Sequence, residues 1–276
     1  MRSFDPELVP HTEIHRLLVG GVAPRPIALV SSLDKDGTSN LSPFSFFNAF
    51  GVNPPIICFS PAYSGRTGAA KHTMMNLDET KECTVSIVNH EMVHQISLAS
   101  APYERGIDEF VKSGLTKRPS VKVKPPGVAE SPFIMEAKLV QHVDFGGKPG
   151  SPNLMICEVL LIHVREEILT ETGGIDPVRI DQVARLGGPY YTRAKEGIFV
   201  LPQPSKPLVG IDRLPQEIRE SPILTGKHLA QLASLEAIPE LPDGLPNLEA
   251  RHSKAKHHLD RGEVDKAWEA LSNGKW

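Results

Sequence analysis

At 276 residues and 40% hydrophobic side chains, the chain is long enough for one large domain, or one domain with an appendage. Its 30 basic and 33 acidic residues leave a net charge of −3, which gives no global pull toward nucleic acid or an anionic membrane. Three scattered cysteines, Cys58, Cys83 and Cys157, sit in apolar runs and read as buried thiols rather than a disulfide or zinc framework, and no run approaches signal-peptide or membrane-spanning character, so a cytoplasmic protein is the expectation.

Residues 1–19 are polar and mixed, with His11, His15 and Arg16, and read as a lead-in arm. Gly20-Gly21 and Pro24-Arg25-Pro26 punctuate the approach to a first strand, Ile27–Leu33. Asp34-Lys35-Asp36-Gly37 is a hairpin signal, because Asp-Gly suits the positive φ values of tight turns. The returning strand is Asn40–Asn48, Asn-Leu-Ser-Pro-Phe-Ser-Phe-Phe-Asn. Its serines and asparagines alternate imperfectly with aromatics, and Pro43 withholds a backbone donor, so an edge, a bulge or a strand end is expected there. Hydroxyls and amides beside aromatic surface suit a planar heteroaromatic ligand. A strand whose phenylalanines fill a core fits the same residues.

Ile56–Ser60 follows Asn53-Pro54-Pro55 and, being apolar throughout, reads as a central strand. Ser60–Asn76 opens as a small-residue loop, gathers Arg66 and Lys71, and leads to Thr73, placed to cap a short helix to about Glu79. Free donors at a helix start, two cations and a hydroxyl suit a phosphate monoester. A solvated loop with two surface cations is the plain alternative. Cys83–Val88 reads as a strand, Glu91–Ser100 and Ile107–Leu115 as helices, Thr116–Pro132 as a surface loop, and Phe133–Val143 and Leu154–Val164 as two long strands. Glu158 and His163 fall on these strands and read as structural. Arg185-Leu186-Gly187-Gly188-Pro189-Tyr190-Tyr191 reads as a pocket lid, a dimer contact or a surface turn, and Gly197–Leu201 as one more strand.

The composition shifts after Leu201. Prolines at 202, 204, 207, 215 and 222 make 202–223 an extended connector, Lys227–Glu236 a helix and Pro239–Pro246 a break. Leu248–Leu259 and Glu263–Leu271 read as helices. Val264, Ala267, Trp268 and Leu271 form a stripe expected to dock on the barrel or on a partner subunit. His252, His257 and His258 read as a solvated face rather than metal ligands, since no second ligand cluster accompanies them.

Taken together, Pro24-Arg25-Pro26-Ile27-Ala28, Asp36-Gly37, Asn40–Asn48, Asn53-Pro54-Pro55 and Lys71-His72-Thr73 followed by Asn76 resemble the flavin reductase-like family with the FMN-binding split barrel, its flavoredoxin branch in particular. The resemblance runs from about Val9 to Leu201. It implies a mainly β fold, a six-stranded Greek-key split barrel with flanking helices over 1–201, followed by a proline-rich and helical extension over 202–276. It also implies a homodimer with FMN near the subunit interface. Carried onto this chain, Ser42, Pro43, Phe44, Ser45 and Asn48 would face the isoalloxazine and ribityl parts, Ser60 and Pro61 the pocket edge, and Arg66, Lys71 and Thr73 the phosphate. His72 stands where many relatives have aspartate.

The residues offer neither a Gly-x-Gly-x-x-Gly unit nor a P-loop. The expected function is an FMN-dependent oxidoreductase that takes electrons from NADH or NADPH and hands them to a small-molecule or protein acceptor. The flavin carries the chemistry, so no catalytic side chain is assigned, although Tyr190 is a candidate proton donor. An FMN-binding electron carrier or sensor is the alternative, and a barrel whose tail grips a partner is a third.

Overall fold

In the computed structural model, which describes every residue except 202, 240, 242–244 and 273–276, the Asn40–Asn48 stretch is divided between two strands. In chain order the strands are β1 (Arg25–Pro26), β2 (Ala28–Leu33), β3 (Ser39–Phe44), β4 (Phe47–Val52), β5 (Pro55–Phe59), β6 (Glu82–Ile87), β7 (Lys117–Arg118), β8 (Gly127–Val128), β9 (Phe133–Asp144), β10 (Asn153–Val164), β11 (Val183–Arg185) and β12 (Tyr191–Arg193). Seven of these form one antiparallel sheet in the order β3-β2-β6-β9-β10-β5-β4. β3 and β4 therefore lie at opposite edges, yet only Ser45 and Phe46 separate them in the chain. Laid flat, seven strands at ~4.8 Å spacing would hold those edges roughly 29 Å apart. A two-residue link spans only about 10 Å. The sheet must curl until its edges meet, which makes it a barrel split between β3 and β4. Seven strands stand where six were expected, because the turn at Ser45-Phe46 makes two strands of one. Pro43 takes the edge position that its missing donor requires.

Alternation along β2 builds two cores. Ala28 and Val30 point into the barrel with Phe44, Phe59, Val85 and Met155. Ile27 and Leu29 point the other way, with Leu41, Met92, Ile96 and Phe110, under the helices α3 (Val93–Ala99) and α4 (Glu109–Ser113). The cysteines are free thiols, as expected, and Cys83 and Cys157 are fully buried in the barrel. They lie on β6 and β10 with β9 between, a separation of roughly 9.6 Å that exceeds the ~7 Å limit for a disulfide.

The lead-in arm contains a helix, α1 (His11–Gly21), which buries no residue. The helix α2 (His72–Thr80) begins two residues earlier than the Thr73 cap implies, with extended Lys71 as its cap residue. β11, β12 and β1 form a separate three-stranded sheet that carries the Arg185–Tyr191 segment. Residues 198–201 form no strand, and their apolar side chains are exposed.

The chain divides into two compact units, Met1–Ile198 and Phe199–Trp276. The second is all helical: α5 (Gln216–Arg219), α6 (Gly226–Leu232), α7 (Leu248–Asp260) and α8 (Val264–Leu271). Its connector is not merely extended, since Leu214 and Ile218 are buried in a core with Leu232, Leu259 and Trp268. The Trp268 stripe thus packs within its own unit. His252 is buried and bonded to Ser221 Oγ at 2.8 Å, so it does not belong to a solvated face. No metal-ligand cluster exists among the described residues. Half of the expected break over 239–246, residues 240 and 242–244, lies outside the described residues.

Candidate functional site

β3 carries its pocket residues along a groove with two lobes. One lobe, a cavity of about 270 Å³, is bordered by Ile27, Pro43, Ser45, Ile96, Arg185 and Tyr191. The other, about 200 Å³, is bordered by Ser42, Arg66, Lys71, Thr73 and Glu109 among others. Ser100 borders both, and Ser42 and Pro43 are consecutive on β3, so the two lobes adjoin at that strand. Each alone is smaller than the ~300–1,000 Å³ of ordinary ligand sites, so a flavin would use both.

The second lobe is built for an anion. The first backbone N–H groups of α2 have no partner within the helix and open beside Lys71. Arg66 and Lys71 are exposed, and neither is in an ion pair among the described residues. Thr73, in the first turn, uses its Oγ1 to accept from Asn40 Nδ2 at 2.9 Å, which ties the helix start to β3. His72 borders the same lobe, and burial, together with Arg105 and Lys71, holds its pKa below the ordinary imidazole value.

The first lobe is fixed from behind. Arg25, 6% exposed, donates to the carbonyls of Val19 (2.5 Å), Val22 (2.7 Å) and Leu186 (3.2 Å), and its guanidinium lies 5.6 Å from the Phe46 ring centre. One buried cation thereby joins the end of α1, the β3–β4 turn and the segment after β11. Arg193 forks onto Asp181 at 2.7 and 2.6 Å and, with Lys195, draws the Asp181 pKa down to about 2. That pair anchors the short sheet from which Arg185 and Tyr191 reach the groove.

Of the ten residues singled out from the sequence, the groove gathers Ser42, Pro43, Ser45, Arg66, Lys71 and Thr73. It does not gather the other four. Phe44 alternates away from Pro43 into the barrel core, stacked on Phe59 with ring centres 5.7 Å apart. Asn48 lies exposed on β4, its Oδ1 accepting from the Ala49 N–H. Ser60 and Pro61 are buried; the Pro61 carbonyl accepts from Asn153 Nδ2 at 3.4 Å, and the Ser60 hydroxyl has no partner among the described residues. Tyr191, not Tyr190, borders the groove. Glu109 is the residue that sequence reasoning missed. Its signal was faint: a carboxylate beside Phe110 on the inner side of a five-residue helix. Another cavity, about 430 Å³ and lined by Arg251, Lys254, His258 and Lys266 of the helical unit, has only Ala250 and Ala270 as apolar side chains among the described residues, a poor wall for a flat ring.

The model of the flavin reductase like domain matches residues 20–179. An uncharacterized protein of Halalkalibacterium halodurans is 35% identical over 207 residues, covering 74% of this chain and 97% of the relative. Nitrilotriacetate monooxygenase component B from Bacillus cereus is similar in structure with a TM-score of 0.68 and 30% identity, covering 72% of this chain and 98% of that one. The flavoredoxin of Desulfovibrio vulgaris (Miyazaki F) has a TM-score of 0.55 and 26% identity, covering 66% of this chain and 92% of its own.

Proposed function

The chain belongs to the flavin reductase-like family, and from that premise we propose that the two-lobed groove binds FMN and that the protein is an oxidoreductase drawing electrons from NADH or NADPH for a small-molecule or protein acceptor. The observation that carries this reading is an anion lobe and a hydroxyl-and-apolar lobe lying next to each other at β3 and Ser100. Unpaired Arg66 and Lys71 beside free α2 amides fit a phosphate. Ile27, Pro43 and Ile96, with the Ser45 hydroxyl and the Arg185–Tyr191 pair, fit a flat ring that needs an apolar wall and a few donors. FMN, when bound, supplies hydride acceptance and onward electron transfer.

This chain's residues bind and orient. Arg66, Lys71 and Thr73 hold the phosphate, Ser42 and Ser45 offer hydroxyls, Pro43 offers apolar surface, and Arg185 places positive charge over the first lobe. No side chain is assigned to proton transfer.

The proposal includes a homodimer. β4 lies at a sheet edge and exposes Phe50 (68%) and Val52 (91%), which a second copy would cover. It also places the protein in the cytoplasm, where three free thiols stay reduced. No described helix is long and apolar enough to cross a membrane.

The test is a visible absorption spectrum of the purified protein with FMN added, before and after anaerobic NADH or NADPH. A flavin spectrum that bleaches supports the reductase and names its donor. A bound flavin that stays oxidised makes the protein a carrier or sensor. Failure to bind FMN sinks the reading.

A further inference from the structure

The anion lobe contains one group that its chemistry does not explain. Glu109 is 4% exposed and borders the same cavity as Arg66, Lys71 and Thr73. A carboxylate is an unexpected wall for a phosphate site, because like charges in a cavity repel. Its Oε2 accepts from the Leu41 N–H at 2.9 Å, satisfying an outward donor of edge strand β3. Its Oε1 has no hydrogen bond among the described residues, and no cation lies within ion-pair distance of either oxygen.

The charged and titratable groups around it are few. Asp108, its neighbour on the chain, is held by Lys117 at 2.6 Å, so that cation is engaged elsewhere. Lys71 and His72 face the lobe from the start of α2, Arg66 from the preceding loop, and Tyr103 from the segment after α3. Burial pushes the Glu109 carboxyl above its ordinary range, and adjacent Asp108 adds to the rise.

We propose that Glu109 contacts the anionic end of the bound flavin as a neutral carboxyl, donating a hydrogen bond from its free oxygen, so that the anion enters the groove together with one proton. This rests on reading the groove as a flavin site. The proton comes from solvent and adds to the carboxylate, and no covalent bond changes. The neutral acid then serves as a donor, which the ionised form cannot do. Glu109 is thereby a ligand-contacting residue that selects a phosphorylated flavin over an unphosphorylated one in a pH-dependent way.

The experiment measures Kd for FMN and for riboflavin across the pH range in which both proteins stay folded, in the wild-type protein and in Glu109→Gln. Glutamine keeps an oxygen for the Leu41 N–H and an N–H for the ligand, but it cannot titrate. The FMN phosphate, with its own pKa near ~6, and His72 are common to both proteins, so their contribution cancels in the comparison. Wild-type Kd for FMN should rise with pH more steeply than that of Glu109→Gln, by up to about tenfold per pH unit, with riboflavin flat in both. Equal slopes in the two proteins, or the same slope for riboflavin, overturn the proposal while leaving the flavin site standing. If neither flavin binds at any pH, the functional reading fails and this inference fails with it. Should Glu109→Gln not fold, His72→Gln keeps Glu109 and is titrated with FMN calorimetrically in two buffers at about pH 8, where the phosphate, with a pKa of about 6, is already fully ionised. Proton uptake that persists supports Glu109. Uptake that is absent overturns the proposal.

Discussion

The guanidinium of Arg185 lies over the ring of Tyr191, 4.6 Å from its centre, and also bonds the Tyr191 hydroxyl and, at 2.9 Å, the Gly188 carbonyl. Both side chains border the lobe that contains Pro43 and Ser45. The pair closes the turn between β11 and β12 on itself and presents one cation to the groove. An exposed cation–π contact contributes about 0.5–1 kcal/mol. Arg185→Ala should therefore weaken FMN and riboflavin alike, by about two- to fivefold, because the lobe it borders is the one assigned to the ring. A loss confined to FMN would move Arg185 to the phosphate end.

The opposite pattern is expected at the other lobe. Arg66→Ala with Lys71→Ala should weaken FMN by at least tenfold, about 1.4 kcal/mol, and leave riboflavin unchanged. Two unpaired cations beside a helix start have an anion as their natural ligand. Unchanged FMN affinity in that double variant, measured by fluorescence titration, would remove the phosphate assignment.

The most heavily satisfied carboxylate in the barrel unit lies outside the groove. Glu136, fully buried on β9, accepts from the N–H groups of Val121, Lys122 and Val123 and from His163 Nε2 at 2.6 Å. His163 Nδ1 in turn lies 3.2 Å from Arg118 Nη2, an arrangement that a neutral imidazole satisfies. These bonds strap the 118–126 loop to the barrel. Although burial alone would raise it, they hold the Glu136 pKa below its ordinary value, the His163 bond contributing most. A depressed folded-state pKa gives stability that is present above the unfolded value of about 4.3 and lost as pH falls through the folded one. Glu136→Gln should cost about 1–3 kcal/mol at pH 7 and flatten the acid limb of a stability–pH curve. An unaltered acid limb would mean that other carboxylates control it.

The sequence made some of this legible and hid the rest for physical reasons. Local chemistry reads well: Gly37 adopts φ +85° in the Asp34–Gly37 turn, and Asp34 Oδ1 accepts from the N–H groups of Asp36 and Thr38. The Trp268 stripe also reads correctly as an apolar helix face, but a stripe does not say which surface it meets, and it met its own unit. Phe44 looked like a ligand wall because it sits among pocket residues, yet strand alternation sends it to the opposite face from Pro43. α1 escaped notice because none of its residues is buried. Glu136 was invisible because its partners are backbone groups of a loop 13–15 residues away, and their positions exist only once the barrel has closed.

The edge strand β4 gives a test of assembly. Phe50 and Val52 are 68% and 91% exposed, an arrangement that invites pairing unless another surface covers it. Phe50→Glu should shift the species seen by light scattering from dimer toward monomer at micromolar concentration, with the fold unchanged by circular dichroism. A wild-type protein that is already monomeric would refute the dimer.

The helical unit gives the sharpest stability test, because its core contains the largest fully buried side chain among the described residues. Trp268 is fully buried among Leu232, Leu259 and Leu271, and its Nε1 donates to the Leu232 carbonyl at 3.3 Å. Truncating a buried tryptophan costs about 3–5 kcal/mol, a large share of what a unit of this size can hold in reserve. His228 adds a second brace: its Nδ1 accepts from the Thr225 N–H at 3.1 Å to start α6, and its Nε2 bonds Asp260 at the end of α7 at 2.9 Å. Trp268→Ala should therefore abolish hydrogen-exchange protection in α6, α7 and α8. The groove residues all belong to Met1–Ile198, so flavin affinity should stay within about twofold of wild type. Loss of flavin binding in Trp268→Ala would show instead that the two units fold or function as one.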